Sequence, residues 1–146
     1  MTQTEATAET TAQIRKTFPF DCTTVFDAWL EADAVRQFMC PHPGHVSHAE
    51  VDGRVGGAFR IDMTIGEHTL VHTGEYLEIS RPDRLVFTWA SPATHGQPTQ
   101  VELDFLDQDG QTELVLKHTG LPSAEMAQNH TEGWRSILDR MAEAIG

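Results

Sequence analysis

Cysteine is nearly absent, with Cys22 and Cys40 the two thiols in 146 residues. So sparse a pair builds no disulfide framework, and free thiols fit a reducing compartment. Cys22 falls at the start of a helix in the reading below, where a thiol can become reactive; a small, half-buried residue is the plainer role. Long hydrophobic runs are missing too. No stretch approaches the roughly 18–20 apolar residues of a membrane span, and the first residues lack the basic start and apolar core of a signal peptide. The expectation is a cytoplasmic protein without a membrane partner. Positive charge is scarce: ten Lys and Arg stand against 22 Asp and Glu, a net charge of −12. Scattered cations on so acidic a chain repel phosphate backbones, which argues against a nucleic-acid partner. Catalytic signatures are missing as well. There is no Gly-x-Ser-x-Gly elbow, and Ser91 and Ser123 have no evident His-Asp partners. The glycines of residues 53–57 lack the following Lys and helix of a phosphate loop. No internal repeat is evident.

What is present is periodicity. Residues 1–12 are rich in Thr, Ala and Glu without apolar spacing and read as a disordered leader. Residues 13–146 then form a single domain, long enough to bury a core. Ile14, Phe18 and Phe20 mark a first strand that ends near Pro19. Asp21 can cap a helix through Thr24, along which Val25, Phe26, Trp29 and Leu30 form an apolar face. Asp33 is placed to cap a second short helix that buries Val35, Phe38 and Met39, with Pro41 and Pro43 as its stop. The period then drops toward two. Strands are expected at 46–51, 58–65, 68–79, 84–90, 100–106 and 113–119. Turns fall at Asp52-Gly53, Gly66-Glu67, Arg81-Pro82-Asp83, residues 92–98 and Asp109-Gly110. Phe59, Ile61 and Met63 share one strand face, and the Gly56-Gly57 pair before them suits a bulge or a close backbone approach. Residues 123–145 carry Met126, His130, Trp134, Ile137, Leu138, Met141 and Ile145 at helical spacing, a helix of roughly 34 Å. Gly133 inside it costs about 1 kcal/mol relative to Ala, which implies that the sheet or a ligand packs closely there. The predicted class is α+β. A curved antiparallel sheet of six or seven strands wraps around a long C-terminal helix, with two short helices after the first strand.

Four segments in this order carry a family resemblance. They are Val25-Phe26-Asp27-Ala28-Trp29; Asp52 to Phe59 (DGRVGGAF); Gly74-Glu75-Tyr76-Leu77-Glu78-Ile79 followed by Pro82-Asp83-Arg84-Leu85-Val86-Phe87-Thr88-Trp89; and His118 with His130, Gly133-Trp134 and Leu138. Together they resemble the Bet v 1-like helix-grip superfamily, also called SRPBCC or START-like, in the branch named after the activator of Hsp90 ATPase. The resemblance spans residues 12–145. It implies an apolar cavity beneath the long helix, in a superfamily whose members bind lipids, polyketides, hormones or aromatic compounds and include some cyclases and hydrolases. It implies no shared catalytic motif and no cofactor. The branch name adds a stress-response association and a possible chaperone partner.

Three histidine settings have chemical potential. His68 and His72 share a strand face and could ligate a metal or exchange protons. Glu75 falls on the opposite face, and the plainer reading is a solvent-facing or rim position. The tract Cys40, His42, His45 and His48 has zinc-binding residue types, but its spacing matches no standard finger and Pro41 and Pro43 stiffen it. An ordinary exposed loop is expected, and no metal is assigned. His118 shares strand parity with Leu114 and Leu116 on the inner face, and His130 lies on the helix stripe with Trp134. They could meet inside a cavity as hydrogen-bonding groups or general bases, or be core histidines satisfied by neighbouring polar groups.

The expected function is binding of an apolar or aromatic small molecule between the inner sheet face and the helix of residues 123–145. From the sheet, Phe59, Met63, Phe87, Trp89, Leu103 and Leu116 are the candidate walls, with His118 beside them. Met126, His130 and Trp134 face them from the helix. The alternatives are a co-chaperone-like interaction module and, less favoured, a cyclase or hydrolase using the cavity histidines. No catalytic residue is assigned. A homodimer is compatible with the chain, which carries no direct sign of it.

Overall fold

Alternating apolar and polar side chains build most of the structure from pleated strands. The computed structural model describes residues 10–145. Strand β1 (Ala12–Phe18) is followed by helices α1 (Cys22–Ala28) and α2 (Ala32–Phe38). Six strands come next: β2 (His45–Val51), β3 (Ala58–Ile65), β4 (His68–Ser80), β5 (Arg84–Trp89), β6 (Thr99–Gln108) and β7 (Gln111–Thr119). Helix α3 (Ala124–Ile145) ends the described chain. The seven strands form one antiparallel sheet in the order β1-β7-β6-β5-β4-β3-β2. β2 to β7 are a meander of hairpins, and β1 returns to pair with β7 from Ala12↔His118 to Phe18↔Thr112. The predicted fold class is therefore observed. Most of the expected leader lies outside the described residues, but Ala12 belongs to β1 and is buried.

Local chemistry sets the two short helices. The Asp21 carboxylate accepts from the Thr24 amide at 2.9 Å and caps α1, as its position predicts. The expected cap on α2 is corrected. Glu31 occupies the N-cap without a side-chain bond, and Asp33 sits inside the first turn, where it pairs with Arg36. An acidic group there still favours the positive end of the helix.

Curvature comes from β4, which changes partner along its 13 residues. Its first part pairs with β3 up to Ala58↔Glu75, and its second pairs with β5 from Tyr76↔Phe87. A register shift between Tyr76 and Glu78 bends the strand at the changeover. Gly74 lies at the crease. A β-carbon on it would stand 2.0 Å from the Thr88 carbonyl oxygen and 2.4 Å from the Phe59 ring. Neither a sheet carbonyl nor a buried ring can retreat cheaply. Gly74→Ala is expected to cost about 3 kcal/mol through overpacking, read as a drop in the urea midpoint at unchanged m-value.

Helix α3 crosses the concave face. Ala127, Trp134, Ile137, Leu138 and Met141 form its buried stripe, and Leu85, Leu103, Leu114 and Leu116 meet it from the sheet. The close packing expected at Gly133 is corrected. The nearest atom to a β-carbon there is Pro41 Cγ at 3.6 Å, an ordinary contact. Neither the sheet nor a buried neighbour requires the glycine. Gly133→Ala is expected to raise stability by about 0.5–1 kcal/mol, seen as a higher melting temperature; a lower one would show that Pro41 cannot yield. No described helix is long and apolar enough to cross a membrane.

Candidate functional site

Strand parity and register bring three histidines and two tryptophans together under α3. His118 on β7 is fully buried. Trp134 on α3 donates its indole Nε1–H to His118 Nδ1 at 3.0 Å. Indole nitrogen only donates, so the imidazole proton lies on Nε2. That nitrogen donates to Thr99 Oγ1 at 2.6 Å, and the Thr99 hydroxyl donates to the Trp89 carbonyl at 2.6 Å. The chain from Trp134 to Trp89 is complete. His118 is therefore a satisfied core histidine with no lone pair left to act as a base. Burial, with a smaller effect from His130, pushes its pKa down to about 3.

His130 lies 5.1 Å from His118, ring centre to ring centre, and nearly perpendicular to it. It is half-buried, and its Nδ1–H donates to the Met126 carbonyl one turn back on its own helix. No carboxylate hydrogen-bonds either imidazole among the described residues. The two rings do meet, yet without the partner that acid–base work needs.

The solvent-facing or rim position expected for His72 is corrected: the residue is buried. It pairs with Ile61 across β3–β4, which puts it on the inner face. Its ring lies 5.0 Å from Trp89, and its Nδ1–H donates to the Leu70 carbonyl at 3.1 Å. Burial lowers its pKa to about 4. The Ile61 pairing was the signal that could have found it. His68 is exposed at the far end of the strand, and Glu75 is exposed on the opposite side.

The Cys40–His48 tract is held by other bonds. Arg140 donates to the carbonyls of Cys40 and Gly44 at 2.6 and 2.7 Å and to His42 Nε2 at 3.2 Å. His48 pairs with Glu50. Cys40 is buried, which raises its thiol pKa and keeps it protonated. Among the described residues no three His, Cys, Asp or Glu side chains group as metal ligands do.

The open interior lies elsewhere than expected. The space between sheet and α3 is filled by Trp134, Ile137, Leu138 and Met141 against Leu103, Leu116 and His118. A small void lies instead between the α1–α2 pair and the β2–β5 part of the sheet. Trp29, Val35 and Met39 wall it from the helical side. Val51, Phe59, Ile61, Tyr76, Phe87 and Trp89 wall it from the sheet. Its free volume is about 10 Å³, room for one water at most. Of the predicted walls, Phe59, Phe87 and Trp89 line it. Trp134 stands behind, with its ring 6.3 Å from Trp29 and 5.0 Å from Trp89. Met63, Leu103 and Leu116 are packed core, while Met126 joins a separate cluster with Ala12, Leu121 and Ala127. Trp29, Tyr76 and the α2 residues were not expected as walls, because their place depends on how the helix pair seats on the sheet.

Two of the residues that line the void carry unpaired polar groups. The indole Nε1–H groups of Trp29 and Trp89 are buried and have no hydrogen-bond partner among the described residues. Both residues are 3% exposed. Buried donors left without acceptors are rare in native interiors.

The fold has known relatives. A Chromobacterium violaceum protein of known structure superimposes with a TM-score of 0.86 at 20% identity, covering 93% of this chain and 96% of its own. A Nitrosomonas europaea protein gives 0.80 at 19% identity, over 94% and 95% of the two chains. An AHSA1-like protein from Aeromonas hydrophila gives 0.72 at 22% identity, over 91% of each. At these identities the likeness is one of fold. No curated protein matches the chain. The family model described as activator of Hsp90 ATPase homolog 1-like protein matches residues 20–146, most of the chain. This chain therefore belongs to the activator of Hsp90 ATPase homolog 1-like family.

Proposed function

We propose that this chain is a binding protein for a small apolar or aromatic molecule, taken up between α1–α2 and the β2–β5 part of the sheet. A domain of this fold is consistent with ligand binding or with a co-chaperone-like role, and one observation favours the first. The void is lined by aromatic and aliphatic side chains from α2, β2, β3, β4 and β5 and from Trp29 and Met39 at the ends of the two short helices, the lining typical of small-molecule sites. The surface supports the same choice. Among the described residues, Val55, Val71, Leu77 and Leu106 are the large exposed apolar side chains. Val71 and Leu77 lie six positions apart on β4, about 20 Å at strand rise, too far to join into one docking patch. His118 has no free lone pair and no carboxylate partner, so binding without chemistry is the simpler reading. The two free thiols fit a reducing interior, and we place the protein in the cytoplasm.

A ligand larger than one water needs a wall to move. The sheet is held by its ladders, and α1 by its Asp21 cap and the Asp27–Arg81 pair. α2 has seven residues and no side-chain N-cap, but Val35 and Phe38 tie it into the core. The test is a native mass spectrum of protein purified from its own cells, beside a denatured control. A bound mass released on denaturation is the expected result. A clean apo mass, with no thermal shift from apolar aromatic compounds, overturns the reading.

A further inference from the structure

The geometry points to a defined ligand chemistry: a compact neutral aromatic molecule bearing a hydrogen-bond acceptor, of the aromatic ketone or quinone type, received by the indole N–H groups of Trp29 and Trp89. The inference rests on the binding reading above and names its specificity.

The argument starts from what the wall offers. Indole nitrogen is a donor and never an acceptor. Two residues that line the same void carry such donors, each 97% buried, and neither donor has a partner among the described residues. The other tryptophan of this cluster shows the contrast: Trp134 spends its N–H on His118. Trp29 and Trp89 both pack on Trp134 and both pack on Phe87, so their rings are held by the same two aromatic neighbours. Fixed donors that lose nothing on ordering are efficient recognition groups.

The rest of the wall narrows the choice. No charged side chain lines the void. An anionic ligand would meet no cation there, and a cationic one no carboxylate, so a buried charge would be left unpaired. Outside the indoles, the Tyr76 hydroxyl and the weakly accepting Met39 sulfur are the lining side chains with a heteroatom. A ligand rich in donors would leave them mostly unsatisfied. A carbonyl oxygen on an aromatic frame brings acceptors and little else, and its ring matches the faces of Phe59, Phe87 and the two tryptophans.

The test compares 1-indanone with indane, which share a bicyclic frame and differ by one carbonyl. Wild-type protein with ¹⁵N-labelled tryptophan is titrated with each, and the indole N–H resonances are followed by NMR. With indanone, the Trp29 or Trp89 N–H signal is expected to move downfield, as hydrogen bonding requires. With indane, both N–H signals should stay near their starting positions while neighbouring aromatic signals shift. Trp89→Phe and Trp29→Phe keep an aromatic ring and remove the donor. The variant of whichever indole responds should weaken indanone about tenfold and change indane less than twofold.

Equal losses for both probes, or indole signals indifferent to the carbonyl, would overturn the donor role while leaving the binding site in place. Failure of both molecules to bind would overturn the specificity and the binding reading together. The wild-type titration decides the matter even if a variant does not fold.

Discussion

Replacing Trp134 with alanine is expected to cost about 5 kcal/mol of folding stability. The side chain is 2% exposed and touches the rings of Trp29, Trp89 and His118 at 6.3, 5.0 and 6.0 Å between centres. Truncating a packed aromatic residue to alanine removes transfer energy and leaves a cavity, together about 3–5 kcal/mol. It also strips His118 Nδ1 of its donor at 3.0 Å. A buried acceptor left without a partner adds about 1–3 kcal/mol, less whatever the new cavity recovers by admitting water. Trp134→Phe separates the two effects, since it keeps most of the ring and removes the N–H. It should cost about 1–3 kcal/mol, mainly through the orphaned imidazole. Urea unfolding followed by circular dichroism gives both values without reliance on tryptophan emission. A loss below about 2 kcal/mol for the alanine variant would place Trp134 against unfilled space and overturn the packed reading of the α3 side.

That packed side shows where sequence reasoning stops. Parity placed Phe59, Ile61 and Met63 on one face, and all three are buried. The Asp21 cap depends on residues three positions apart and was legible for the same reason. So was the inward placement of His118 and Trp134, since one shared parity with Leu114 and Leu116 and the other lay on the apolar stripe of the helix. Which stripe leaves space is another kind of question. The free volume depends on how Val35 and Met39 seat against Val51 and Tyr76, residues distant in the chain whose shapes fit or fail to fit only after docking. Parity treats Trp29 and Trp134 alike, yet one indole is bonded and the other is not. Gly74 and Gly133 make the same point from opposite sides. Each is a glycine inside a regular element. The first is required by a carbonyl and a ring at less than 3 Å, and the second by nothing closer than a proline edge.

The buried histidines predict a steep loss of stability on mild acidification. His118 and His72 have folded-state pKa values of about 3 and about 4, both lowered mainly by burial, against about 6.5 in an unfolded chain. Between those limits the unfolded state binds protons that the native state refuses, so stability rises with pH through the window and is fully present above about 6.5. At pH 5.0 each histidine is about 1.5 units below its unfolded pKa, a loss of about 2 kcal/mol apiece and about 4 kcal/mol for the pair. The groups facing them do not offset the burial. His118 sees Trp134, Thr99 and the neighbouring His130, and no carboxylate. For His72 burial outweighs the carbonyls of Leu70 and Ile61 and the nearby Asp62, which favour its charged form, while His130 opposes it. The carboxylates lowered by arginine partners, Asp27, Asp62 and Glu102, act in a different range. Their contribution is present above the unfolded carboxylate pKa and is lost only as pH falls below about 4. Urea unfolding at pH 7.5 and 5.0 should therefore differ by about 4 kcal/mol. His118→Asn should reduce that difference by about half, because asparagine cannot titrate but its side-chain oxygen can still accept from Trp134. A flat profile between the two pH values would mean that water reaches both rings, and the dry interior between sheet and α3 would have to be abandoned.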